Sequence, residues 1–207
     1  MTWWRQAALV FALVVSCVPA RAADPAADRI QTFYNSLLDT MKKGPHLGMQ
    51  GRFQALEPAV DATFDIPAMI QFIVGPSWSG MKDSDKTNLI AAFRRMTVAN
   101  YAANFERYDG EQFNVEPNVQ QRGPDKIVQT SLVPRGDKPV PLIYRMRAST
   151  GAEWKVIDVF LNGYVSELAT RRSDFASTLA GGGGPALVAK MNQLSDSLLS
   201  GATKPSK

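Results

Sequence analysis

The sequence predicts an α+β domain in which helices come first, a four-stranded antiparallel meander follows, and helices close the chain. Apolar residues recur at helical spacing up to residue 108 and again after 165, whereas between 112 and 161 the pattern alternates. Short turns rich in Gly, Pro and Asp separate the alternating runs, and such turns join neighbouring antiparallel strands.

Residues 1–22 precede this domain and have the parts of a secretory signal: a charged start ending at Arg5, an apolar run over 7–15, and the exit Ala20-Arg21-Ala22. The apolar run is shorter than the roughly 20 residues a spanning helix needs, so cleavage before Ala23 is expected. The sole cysteine, Cys17, lies in this leader. Cleavage would therefore leave a mature chain without thiols. It would also lower the formal charge from +4 to +2, because Arg5 and Arg21 leave with no acid. No basic block with interleaved aromatics follows, so nucleic acid is not an expected partner.

The first helix is expected over 25–43, where Ile30, Phe33, Leu37, Leu38 and Met41 share a face and Gly44-Pro45 supplies a stop. Shorter helices are expected over 52–63 and 67–74, the latter almost wholly apolar. A long helix should run from a cap at Asp83 or Ser84 to about residue 108. Strands are expected over 112–120, 126–133, 139–147 and 153–161, the last two separated by Ser149-Thr150-Gly151. Two helices over 165–179 and 185–199 close the domain, with the glycine run 181–184 between them as a flexible hinge and a polar, disordered tail at 201–207.

Most catalytic chemistries lack their residues. His46 is the only histidine and follows Pro45 in an expected loop, so zinc sites are without ligands and no cofactor is expected. Gly75-Pro76-Ser77-Trp78-Ser79 fails the nucleophile-elbow spacing, because Ser79 stands where glycine is required. The glycine run 181–184 satisfies a dinucleotide-binding string but follows a helix, not a strand. Asp158 is the awkward acid. Strict alternation puts it on one face with Trp154, Val156 and Phe160, and Arg172 likewise interrupts the stripe Val165, Leu168, Phe175 and Leu179. A structural Asp158–Arg172 pair is the expected solution.

Several of these residues carry a resemblance. Phe64-Asp65-Ile66, Gly75 to Trp78, Tyr101, Tyr144 with Met146, and Trp154-Lys155-Val156-Ile157-Asp158-Val159 followed by Asn162-Gly163 resemble the MlaC-like family of periplasmic lipid carriers, also called toluene-tolerance proteins. The ending Arg171-Arg172-Ser173-Asp174-Phe175, then 181–187, is most similar to its hopanoid-associated HpnM branch, although Tyr164-Val165-Ser166 departs from the general pattern after the turn. The resemblance implies a four-stranded curved antiparallel sheet and N- and C-terminal helices enclosing an apolar cavity. It also implies a periplasmic location, a hopanoid or phospholipid cargo, and transient partners in an inner-membrane lipid transporter and an outer-membrane lipid acceptor.

A carrier must hide its cargo. Roughly 30 lipid carbons at about 0.8 kcal/mol per methylene represent on the order of 20 kcal/mol to be recovered from water. Candidate lining residues are Met69, Phe72, Ile73, Met96, Tyr101, Leu142, Tyr144, Met146, Val156 and Phe160, in which flexible thioethers and rings can follow irregular tails. Two other readings are open: an enzyme using Asp158 as acid or base on a polycyclic lipid, and a non-lipid adaptor of the cell envelope.

Overall fold

The computed structural model describes residues 24–148 and 153–202. The expected leader, the Ser149-Thr150-Gly151 turn and the end of the tail lie outside them. The helices are α1 (Pro25–Thr63), α2 (Ile66–Val74), α3 (Asp83–Asn104) and α4 (Glu167–Leu199), with a 3-10 segment (Gly75–Gly80) after α2. The strands are β1 (Gln112–Val115), β2 (Gln120–Arg122), β3 (Asp125–Val133), β4 (Val140–Ala148), β5 (Trp154–Leu161) and β6 (Val165–Ser166).

The strands form one antiparallel sheet in the order β1-β3-β4-β5-β6, with β2 also on β3. The α+β class and the antiparallel sheet are as expected; the strand number is six, not four. The run expected over 112–120 is split, since β1 and β2 pair with opposite ends of β3 and Pro117, which has no N–H to donate, lies between them. β6 is added by a tight Asn162-Gly163 turn with φ of 52° and 79°, closed by Tyr164 N–H donating to Leu161 O.

Both expected helix breaks fall at a glycine with non-helical φ and ψ inside a longer element. α1 continues through Gly44-Pro45, with His46 inside it, and kinks at Gly48; α4 runs through the glycine run and kinks at Gly183. Tertiary contacts override the stop at Gly44-Pro45. Buried Arg52, just past the kink, donates from Nε to Ala102 O at the end of α3 and from Nη1 to Gly44 O, joining both halves of α1 to one partner. α3 has Lys82 as its N-cap, with no side-chain cap bond, in place of Asp83 or Ser84.

One face of the sheet carries the core. Val128 lies opposite Tyr144, and Met146 opposite Val156, and all four are buried in the same cluster as Ile30, Phe33 and Tyr34 of α1. Phe33 meets Phe64 and Tyr101 edge-on at 5.2 and 5.0 Å, and Tyr34 stacks on Phe113 at 4.4 Å. Tyr34 keeps its hydroxyl satisfied inside: it lies 2.6 Å from Thr130 Oγ1, which itself donates to Leu142 O. Burial pushes the Tyr34 phenol up to about 12. The start of α1 is fastened by Asp24, which caps Ala26 N–H and pairs with Lys126 Nζ at 2.7 Å, while Lys126 also sits over the Trp154 ring.

Candidate functional site

β5 positions two helices. At one end, Asp65 N–H donates to Val156 O, and the Asp65 carboxylate accepts from Ala68 N–H to cap α2. At the other end, Asp158 holds the start of α4. Its Oδ1 accepts from Val159 N–H at 2.8 Å and Leu168 N–H at 3.2 Å, and its Oδ2 accepts from the Ser166 hydroxyl at 2.7 Å. Ser166 Oγ in turn caps Ala169 N–H. A carboxylate there also complements the positive end of the helix dipole.

Between α2 and α4 lies an open groove of about 260 Å³. Ile73, Val74 and Ser77 form one wall, and Arg172, Ala176, Leu179 and Ala180 the other. Its floor is the protein core, because Ile73 and Val74 are buried members of the main apolar cluster. A second concavity, of about 240 Å³, involves only Pro25, Asp28, Arg29 and Thr32 on the first turns of α1.

The predicted lining residues divide into three groups. Met69, Ile73, Met96, Tyr144, Met146 and Val156 are buried against one another, and Tyr101 and Leu142 pack on that cluster. Phe72 is 47% exposed. Phe160 lies opposite Ile143, whose neighbour Tyr144 faces the core, so Phe160 is on the far face of the sheet. Only Ile73 of the ten borders the groove. Most of these ten residues thus belong to the main apolar cluster, and the groove lies beside it. An empty apolar cavity of about 500 Å³ would cost on the order of 12 kcal/mol, comparable with the whole stability of a domain.

The expected Asp158–Arg172 pair is also corrected. Asp158 is satisfied by the start of α4, and Arg172 points elsewhere: its guanidinium lies 5.6 Å from the Phe72 ring centre and makes one long, 3.5 Å hydrogen bond to Phe72 O. The period-2 reading fails at a bulge. Register shifts between Arg145 and Met146, placing Asp158 opposite Arg145 and Val156 opposite Met146 with Ile157 extra, so Asp158 and Val156 do not share a regular face.

Val74, Ser77, Ala176 and Ala180 were not anticipated in the groove. Ala176 and Ala180, four apart on α4 with Leu179 between, are a small-residue pattern that sequence alone could have flagged. Glu167 was missed as well. Burial raises its pKa, Arg171 works in the opposite direction, and the charges of Asp158 and Asp174 add to the rise.

Among the described residues there is no group of three or more His, Cys, Asp and Glu placed to hold a metal, and no helix is long and apolar enough to cross a membrane. What the geometry offers is an open groove with one charged residue, Arg172, beside the apolar core.

Residues 31–193 match the sequence model of the MlaC protein, and the chain belongs to this family. Its fold is similar to that of the phospholipid-binding protein from Ralstonia solanacearum, solved in complex with a phospholipid, with a TM-score of 0.72 and 23% identity over 84% of this chain and 98% of that one. Among curated proteins none matches.

Proposed function

We propose that this protein is a periplasmic carrier that moves a phospholipid between an inner-membrane transporter and an outer-membrane acceptor, meeting each only transiently. Family membership together with the phospholipid held by the structural neighbour carries this reading. The groove supplies the route. Ile73 and Val74 belong both to its floor and to the core, so moving α2 and α4 apart there would let acyl chains replace the packing of Met69 and its neighbours. Tail burial drives that opening, since on the order of 20 kcal/mol of apolar transfer is at stake for about 30 carbons. Apparent affinity is reduced by the fraction of molecules that are open, which aids release at the acceptor.

The same site disfavours acid–base chemistry at Asp158, both of whose oxygens already hold α4. The ending Arg171-Arg172-Ser173-Asp174-Phe175 likens the chain to the hopanoid-associated branch, and a hopanoid is therefore the second cargo to consider. Mass spectrometry of an organic extract of protein purified from the periplasm of its native cells tests the proposal. A stoichiometric phospholipid is expected. A hopanoid would change the cargo, and absence of any lipid would overturn the carrier reading.

A further inference from the structure

We propose that Arg172 is the headgroup anchor of the groove and that it selects a lipid carrying a phosphodiester over one with the same tails and no phosphate. This assignment rests on the carrier reading and specifies which chemical group that site recognises.

The charges around the start of α4 are unevenly matched. Arg171 lies 4.0 Å from both Glu167 and Asp174, while Asp158 is occupied by Val159, Leu168 and Ser166. Among the described residues, Arg172 has no carboxylate within ion-pairing distance; its contacts are the Phe72 carbonyl and ring. None of the residues lining the groove is acidic. A guanidinium without a counter-ion, bordering an apolar groove, is complementary to an anion attached to an apolar body. Phosphate is the anion whose oxygens match the planar fork of donors.

The guanidinium also lies beside the turn after α2. Gly75 has φ +67°, which by itself favours glycine, and a Cβ there would come within 2.8 Å of Arg172 Nη2. Two residues on, Ser77 lines the groove on the wall opposite Arg172, and a serine hydroxyl can donate to a phosphate oxygen. Along α4, Arg172, Ala176 and Ala180 succeed one another every four residues, so the polar end and the far end of this wall are about 12 Å apart. A phosphate at Arg172 therefore has an apolar track leading away from it. Ala176 and Ala180 leave room for a chain where larger residues would fill the track.

The test compares two water-soluble probes with identical tails, dihexanoyl phosphatidylglycerol and dihexanoylglycerol, by calorimetric titration into delipidated mature protein. Wild type should bind the phospholipid at least tenfold more tightly. Arg172→Met should remove that preference while leaving affinity for dihexanoylglycerol within twofold, and Arg172→Lys should restore part of it. Ser77→Ala, a change on a separate segment, should lower phospholipid affinity by a smaller factor and gives an independent reading of the same site. Equal binding of both probes by wild type, or a preference undiminished in Arg172→Met, would overturn the assignment and leave the carrier reading in place. If wild type binds neither these probes nor long-chain phospholipid in vesicles, the carrier reading fails and this assignment with it.

Discussion

Both oxygens of Asp158 are engaged at the start of α4, whereas Arg172 is exposed and makes only a long hydrogen bond and a ring contact. Asp158→Ala should therefore destabilise the domain by roughly 1–3 kcal/mol, because buried donors lose their acceptor. Arg172→Met should fall within about 0.5 kcal/mol of wild type, as surface changes usually do. The two effects should add in a denaturation double-mutant cycle, and a coupling above about 1 kcal/mol would restore the ion pair that the strand alternation suggested. That alternation was legible, and so was the oddity of an acid among apolar groups. The bulge at Ile157 was not, since no residue in that run marks it. Asp125 makes a different acid-side prediction. Hydrogen bonds from Arg147 and Arg145 hold its carboxyl below the ordinary 3.8. The stabilisation is present above the unfolded-state value and is lost as pH falls through the folded one. Asp125→Asn should thus be less stable than wild type near neutral pH, and the gap should close below about pH 3.8; a gap constant with pH would contradict this origin.

Among the elements, the glycine run in α4 carries the kink between the two closing helical stretches that the sequence separates there. Gly183 has φ 63° and ψ −155°, a region almost closed to other residues, inside an otherwise helical path. Gly181 is helical, and nothing lies within 4 Å of an added Cβ. Gly183→Ala should cost about 1–3 kcal/mol, whereas Gly181→Ala should be neutral or stabilise by up to about 1 kcal/mol. Equal tolerance of both changes in urea unfolding would mean that the segment is flexible after all. Strand positions were readable because turns such as Arg122-Gly123-Pro124-Asp125 bracket them. The run-on of α1 past Gly44-Pro45 was not, because it depends on Arg52 reaching Ala102, fifty residues away.

For the whole molecule, period and turn chemistry carried the architecture, but neither distinguishes a lined cavity from a solid core. Met96, Tyr144 and Met146 have the softness suited to lipid and are nonetheless buried in the main apolar cluster. The groove between α2 and α4 is where core and surface meet, and its polar edge at Arg172 lay in sight on the predicted helical stripe, assigned to the wrong partner. Transport is tested most directly by transfer of deuterated phospholipid from donor to acceptor vesicles by the purified protein, read by mass spectrometry of the separated acceptors. A carrier should give transfer that rises in proportion to protein concentration while the vesicles stay intact and unfused. Phospholipid that binds the protein but never reaches the acceptors faster than in protein-free controls would contradict it.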